Sequence, residues 1–205
     1  MKNILLLSLK ITSLIIVSSH FLHAQKIRTA NGSLEKLKGI LDYNIEFKYV
    51  DSDSMRIPKY DSERDFLQFQ FNKKEKVQNG LGEKFKEEWF SNRKNLYEPA
   101  FIKSFNDFQL KKREVNISTD EESDFTIEIT TLLTYPGYYI TVYYEHTKLE
   151  VVMKIYRTEQ KSDILYTSET IKTEAVEGGN TDAIRITAAY ENLGRILSKF
   201  LHRKT

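Results

Sequence analysis

From Gly39 onward the chain alternates. Leu41, Tyr43, Ile45, Phe47 and Tyr49 take every second position, with Asp42, Asn44, Glu46 and Lys48 between them. A period of two is that of a strand with one buried and one wet face, and Asp51-Ser52-Asp53-Ser54 ends it. The same pattern returns in the second half. Phe125, Ile127, Ile129, Thr131 and Leu133 form one run; Leu149, Val151, Met153 and Ile155 form another, interleaved with Lys148, Glu150, Val152 and Lys154. Val115 and Ile117 predict a short strand, and Tyr135-Pro136-Gly137 separates the run at Phe125–Leu133 from a further strand over Tyr138–Glu145. Ile164–Lys172 reads as a last, less regular strand.

Between the first strand and the rest, the period lengthens. Ser62-Glu63-Arg64-Asp65 sets an acidic residue three positions after a Ser, a helix start, and Asn79-Gly80-Leu81-Gly82 breaks that helix. From Glu83 to about Tyr97 the apolar positions Phe85, Trp89 and Leu96 share a helical face, with Phe90 and Tyr97 flanking and Lys84, Glu87, Glu88 and Lys94 opposite. Trp89 reads as core. Pro99 suits a first helical turn, and Phe101, Ile102, Phe105 and Phe108 continue the stripe. After Glu177-Gly178-Gly179 a final helix starts at Thr181 or Asp182. Ile186, Ala189, Leu193, Ile196 or Leu197, and Phe200 trace its apolar face, while Arg185, Glu191, Arg195 and Lys199 point elsewhere. Gly194 inside it disfavours the helix by about 1 kcal/mol against Ala, which predicts close approach to a neighbouring element.

The order is strand, helices, strands, C-terminal helix. Clean alternation leaves the sheet one apolar face for the helices to cover. The fold class expected is α+β, two-layer, with a single antiparallel or mixed sheet of about five to six strands and helices packed on one face. Residues 39–205 form that single domain, and the polar stretch 25–38 is a flexible leader.

Residues 1–24 differ from the rest. They hold no acidic residue, carry Lys2 and Lys10, and contain two apolar blocks, Ile4–Leu9 and Ile11–Val17, followed by Leu22-His23-Ala24. A charged start, an apolar middle and a small residue before the cut are the parts of a secretory signal, with cleavage expected between Ala24 and Gln25. A spanning helix needs about 20 apolar residues, and Lys10 and the Ser, Ser, His, His tail interrupt that length. The expectation is a chain in the periplasm or secreted, with no membrane span once the signal is removed. Two of the 31 Lys and Arg lie in 1–24 and none of the 29 Asp and Glu do, so the remainder is balanced, 29 against 29. Such a surface argues against a nucleic-acid partner, which wants a clustered basic face. There is no Cys, so neither a lipidated Cys at the cut nor a thiolate zinc site is expected.

The stretch DFTIEITTLLTYPGYYITV and the later RITAAYENLGRILSKFL resemble uncharacterised exported proteins of Bacteroidetes. The resemblance rests on Thr130-Thr131, Pro136-Gly137, Arg185-Ile186, Ala189-Tyr190 and Gly194. The element order is similar to that of small envelope lipoproteins with a TolB amino-terminal-like fold. The resemblance implies a compartment and a fold and carries no reaction.

Candidate chemistry is sparse. Asp51 and Asp53 could open a calcium loop, but positions 6 and 12 of such a loop are Arg56 and Ser62 rather than Gly and Glu. Gly80 and Gly82 lack the Lys-Ser/Thr of a phosphate loop. His146 and His202, the two His beyond residue 24, read as surface residues, with His202 fraying at the chain end. No metal site, cofactor or catalytic residue is expected. The distinctive feature is the tyrosine run Tyr135, Tyr138, Tyr139, Tyr143 and Tyr144. On a single strand Tyr139 and Tyr143 share a face, and they are the candidate binding pair, since exposed Tyr offers apolar area with a polar tip. The function expected is a noncatalytic binding or accessory module of the cell envelope, its partner an envelope protein or a glycan. The alternative is a hydrolase working through a pair of carboxylates.

Overall fold

The computed structural model describes residues 27–108, 115–119, 122–140, 143–175 and 179–204. The expected signal and its cut at Ala24–Gln25 lie outside the described residues.

The strands expected from alternation form. The centre of the sheet is β4 (Phe125–Tyr135) against β7 (Thr147–Arg157), antiparallel, with Ile127 opposite Ile155 and Ile129 opposite Met153. These four side chains are buried and make the floor of the core. On the far side of β4 lies β2 (Asp42–Tyr49), parallel to it, and then β3 (Asn116–Ser118), parallel to β2. Because β4 covers nearly the whole of one edge of β7, the other edge is shared. β8 (Gln160–Ser168) pairs with its last residues and β9 (Ile171–Ala175) with its first. The expected strand Ile164–Lys172 is therefore two strands, parted at Glu169-Thr170, each serving a different half of β7.

The leader is not loose throughout. Thr29–Gly32 forms β1, which pairs antiparallel with β8 at the sheet's end, and Leu34–Leu37 makes a short 3-10 turn. The Ser33 hydroxyl accepts from the Glu35 N–H and caps that turn, and Leu37 is fully buried. One apolar anchor and a non-local ladder dock a segment that its own polarity marks as free. The main sheet thus has seven strands, ordered β1-β8-β7-β4-β2-β3 with β9 beside β7.

Helix α1 (Glu63–Glu75) begins where the Ser62 side chain accepts from the Asp65 N–H, as the cap predicted. It packs on α2 (Leu81–Asn92). A π turn, Arg93–Tyr97, leads directly into α3 (Glu98–Asp107), with Pro99 in its first turn. This turn overturns the stripe expected from Trp89 to Leu96. A wider turn adds a residue, so the inward position moves on by one: Tyr97 is buried and Leu96 is 41% exposed. Pro99 gives the physical reason. Proline lacks an N–H and its ring collides with the carbonyl four residues back, and that residue, Asn95, lies within the π turn.

Helices α3 and α4 (Asp182–Lys204) cover the sheet and each other. Ile186, Ala189, Tyr190, Leu193, Leu197 and Leu201 are fully buried along α4. A Cβ on Gly194 would sit 2.6 Å from the Phe101 carbonyl oxygen, so the glycine marks where the two backbones touch. Two α4 residues expected at the surface are buried. Arg185 donates through Nε to the Pro136 carbonyl (2.8 Å), through Nη1 to the Gly179 carbonyl (2.8 Å), and pairs with Asp182. His202 does not fray. Its Nε2 accepts from the Val115 N–H (3.4 Å), which leaves the proton on Nδ1 to be donated to the Ser198 carbonyl (2.8 Å).

Candidate functional site

Three groupings of polar side chains stand out, and their partners separate what holds the fold from what faces outward.

The first lies under the π turn. Glu63 is buried and accepts from Trp89 Nε1 (2.8 Å), Arg93 (2.6 Å) and Ser52 Oγ (2.8 Å). The Arg93 guanidinium lies 4.2 Å from the centre of the Tyr49 ring, and the Tyr49 hydroxyl donates to Glu98 (3.2 Å). Tyr190 hydrogen-bonds Thr131 (2.9 Å) and stacks on Tyr97 at 5.4 Å. Burial pushes the Tyr190 phenol up to about 12 and the Tyr49 and Tyr97 phenols well above their ordinary value. Burial also raises the Glu98 carboxyl, against the opposing hydrogen bond from Tyr49. Protons stay on these phenols at every physiological pH, and Glu63 accepts from three donors, so the network ties α2, α3 and α4 to β2 and β4.

The second is the sheet face away from α3 and α4. Glu46 and Glu128 are neighbours in register on parallel strands and so make a carboxylate pair. Lysines meet both. Lys161 Nζ lies 2.7 Å from Glu46, Lys48 pairs with Glu128, and Lys154 lies 3.7 Å from Glu128. Burial pushes the Glu46 carboxyl up, but hydrogen bonds from Lys161 and Tyr156 and the charge of Lys48 outweigh it and hold the group below its ordinary value. Glu150, between Arg56 and Lys172, is held low in the same way against its own burial. Each of these carboxylates is paired with Lys or Arg, so the ladder is a salt-bridged face of the sheet, with Glu128 buried beneath its lysines. His202 and Ser198 adjoin, but the Ser198 hydroxyl is donated to the Phe108 carbonyl (2.9 Å), and both His202 nitrogens are engaged. Among the described residues no three His, Asp or Glu side chains are placed to hold a metal ion. No described helix is long and apolar enough to cross a membrane.

The third grouping surrounds the tyrosine run, and here the expected strand Tyr138–Glu145 is corrected. The segment is a hairpin, β5 (Tyr138–Ile140) paired with β6 (Tyr143–Glu145), which extends the β4–β7 pair in the same register beyond a break at Pro136-Gly137. Tyr139 lies opposite Tyr144, and Tyr143 opposite Ile140, so Tyr139 and Tyr143 are not cross-strand partners. Their side chains lie outside the described residues. Tyr144 is 58% exposed, with its ring edge-on to His146 at 5.1 Å. Tyr135 donates its hydroxyl to Glu145, whose carboxylate also accepts from Lys59 Nζ at 2.7 Å. Lys59 lies over the rings of Tyr138 (4.9 Å) and Tyr135 (5.6 Å). The hydrogen bonds from Lys59 and Tyr135 hold the Glu145 carboxyl low, and the same bonds from Glu145 and Tyr135 raise Lys59.

Lys59 was not legible as a site residue. It follows Pro58 in the turn Ile57–Tyr60, closed by the Tyr60 N–H on the Ile57 carbonyl (3.0 Å). Proline fixes a negative φ at the first central position, and Lys59 has φ 77, so the turn is type II. That conformation suits glycine and disfavours a side-chain-bearing residue by about 1–2 kcal/mol. Lys59 is the one non-glycine residue with positive φ among the described residues.

The sequence matches no family model and no curated protein. Among solved structures the chain is similar to the crystal structure of protein XCC0632 from Xanthomonas campestris, of the family DUF330. The TM-score is 0.36 at 9% identity, over 78% of this chain and 82% of that chain. A likeness of that size carries no argument about this chain's function.

Proposed function

We propose that this chain is a noncatalytic module of the cell envelope, exported to the periplasm or secreted, that docks a partner protein on the face formed by the β5–β6 hairpin and the turn beside it. The observation that carries the reading is the hairpin itself. It carries the β4–β7 pair on past the break at Pro136-Gly137 and bears Tyr144, 58% exposed against His146. An exposed aromatic ring with a polar tip is characteristic of protein-recognition surfaces. The neighbouring charges Lys59 and Glu145 pair with one another, so the aromatic patch carries no strong charge of one sign. That suits a protein surface better than a nucleic acid or an anionic membrane. The turn extends the patch toward α1, because Tyr60 packs on Phe66 (5.1 Å) and on Phe69 (5.6 Å), which is 52% exposed. The signal-like residues 1–24, the balanced charge beyond them and the resemblance to exported Bacteroidetes proteins support the compartment.

The test is capture of the full chain from the envelope fraction of expressing cells, in parallel with Tyr144→Ala. The expected result is one protein retained in stoichiometric amount by the native chain and lost with the variant. Retention unchanged by the variant, or abolished by a glycosidase and not by a protease, overturns the reading.

A further inference from the structure

We propose that Lys59 is a positioning residue for the β5–β6 hairpin, and that its left-handed backbone is kept for what its side chain does there. Two independent observations converge on it. The backbone takes a conformation that glycine adopts freely and lysine does not. The side chain contacts three elements at once: Tyr135 at the end of β4, Tyr138 at the start of β5 and Glu145 at the end of β6.

The hairpin needs such a hold. Its two strands continue the β4–β7 ladder in the same register, but that ladder is interrupted at Pro136 and Gly137, between the pairs Tyr135–Lys148 and Tyr138–Glu145. Its root is fixed by other groups. The Pro136 carbonyl accepts from Thr147 Oγ1 (3.0 Å) and from Arg185 Nε (2.8 Å), which ties the β4–β5 junction to α4. Gly137, with φ 64, lies so close to the returning chain that a Cβ would stand 2.2 Å from the Glu145 carbonyl oxygen. These contacts hold the interrupted step of the ladder, and Lys59 bridges it from outside. Lys59 reaches residues on both sides of that break, Tyr135 before it and Tyr138 and Glu145 beyond it, and Tyr60 next to it packs on α1. One turn therefore sets the hairpin in a fixed relation to the helical layer. An unstrained glycine at this position would keep the turn and lose the link.

The experiment is hydrogen exchange on the full chain, read at the amides of 138–140 and 143–145, with a urea midpoint for each variant. In Lys59→Gly the backbone strain goes and the link goes with it. The expected result is an equal or higher urea midpoint together with several-fold faster exchange in the hairpin alone. Lys59→Met keeps the backbone and loses the link, so its midpoint falls and hairpin exchange again quickens. It also carries the test should the glycine variant fail to fold. Native exchange rates in the hairpin of either folded variant overturn the proposal. Partner binding plays no part in this readout, so failure here leaves the docking surface standing, and failure of docking leaves the role of Lys59 standing.

Discussion

Gly194→Ala sets two effects of opposite sign against each other. Alanine is favoured over glycine in a helix interior by about 1 kcal/mol, so an unconstrained site would gain stability. At this site the new methyl would lie 2.6 Å from the Phe101 carbonyl oxygen and 3.1 Å from the Phe105 nitrogen. The first contact is about 0.8 Å inside the 3.4 Å at which ordinary contact begins. Both groups belong to the α3 backbone, so neither can rotate away, and the helices must part instead. A gap approaching 1 Å forfeits a quarter to a half of each dispersion contact. Leu193, Leu197, Phe101 and Phe105, all buried at this seam, would share the loss. Overpacking of this kind destabilises by about 1–3 kcal/mol. With backbone on the receiving side the upper end applies, and after the helical gain the net loss is about 2 kcal/mol. For a chain of this size that lowers the thermal midpoint by about 4–8 °C. Thermal melts of the native chain and the variant, followed by circular dichroism, measure it. An unchanged or higher midpoint would show that α3 and α4 do not meet at Gly194 and would refute the packing described here.

Arg93→Met removes the charged partner of a buried carboxylate and leaves Glu63 to Trp89 and Ser52. The expected loss is about 3–5 kcal/mol, read as a urea midpoint and largely restored in the double variant with Glu63→Gln. For Glu98 the effect depends on pH. Burial raises its carboxyl above the ordinary 4.5, so the folded chain holds that proton more tightly than the unfolded one. The stabilisation is complete below the unfolded value and is lost as pH rises through the folded one. Glu98→Gln should therefore match or exceed the native chain in stability at neutral pH, with its advantage shrinking in acid, and a larger advantage in acid would contradict this. His202→Ala leaves the buried Val115 N–H without its acceptor, for an expected loss of about 1–3 kcal/mol and faster exchange at that amide.

Much of the architecture is legible from periodicity because the β2, β4 and β7 runs alternate apolar with polar side chains, although Asn44, Thr126 and Glu128 on the polar face are themselves buried. Glu46 and Lys48 between Tyr43, Ile45 and Phe47 leave no doubt which side is buried. Local chemistry is legible too: Ser62 caps α1 by a contact three residues away, and Gly194 advertises a close approach. What fails to show is decided at long range. Thr29–Gly32 becomes a strand only because β8, over 130 residues later, offers it an edge. Arg185 looks like a surface residue until the Pro136 carbonyl arrives to accept from it, and His202 looks frayed until Val115 does the converse. The π turn shifts the stripe from Leu96 to Tyr97 through a backbone irregularity that Pro99 hints at without locating. The tyrosine run is visible as composition, but its folding back into a hairpin, and the part Lys59 plays beside it, depend on a turn whose second central residue would ordinarily be glycine.

The docking surface is the claim on which the functional account rests, and position 144 is where it is most exposed to failure. A photo-crosslinking amino acid placed there in the full chain, and irradiated in the exporting cell, should give one discrete protease-sensitive adduct. The same group at Lys103, on the exposed side of α3, should give none. No adduct at 144, an adduct that resists protease, or equal crosslinking at both positions would contradict the account.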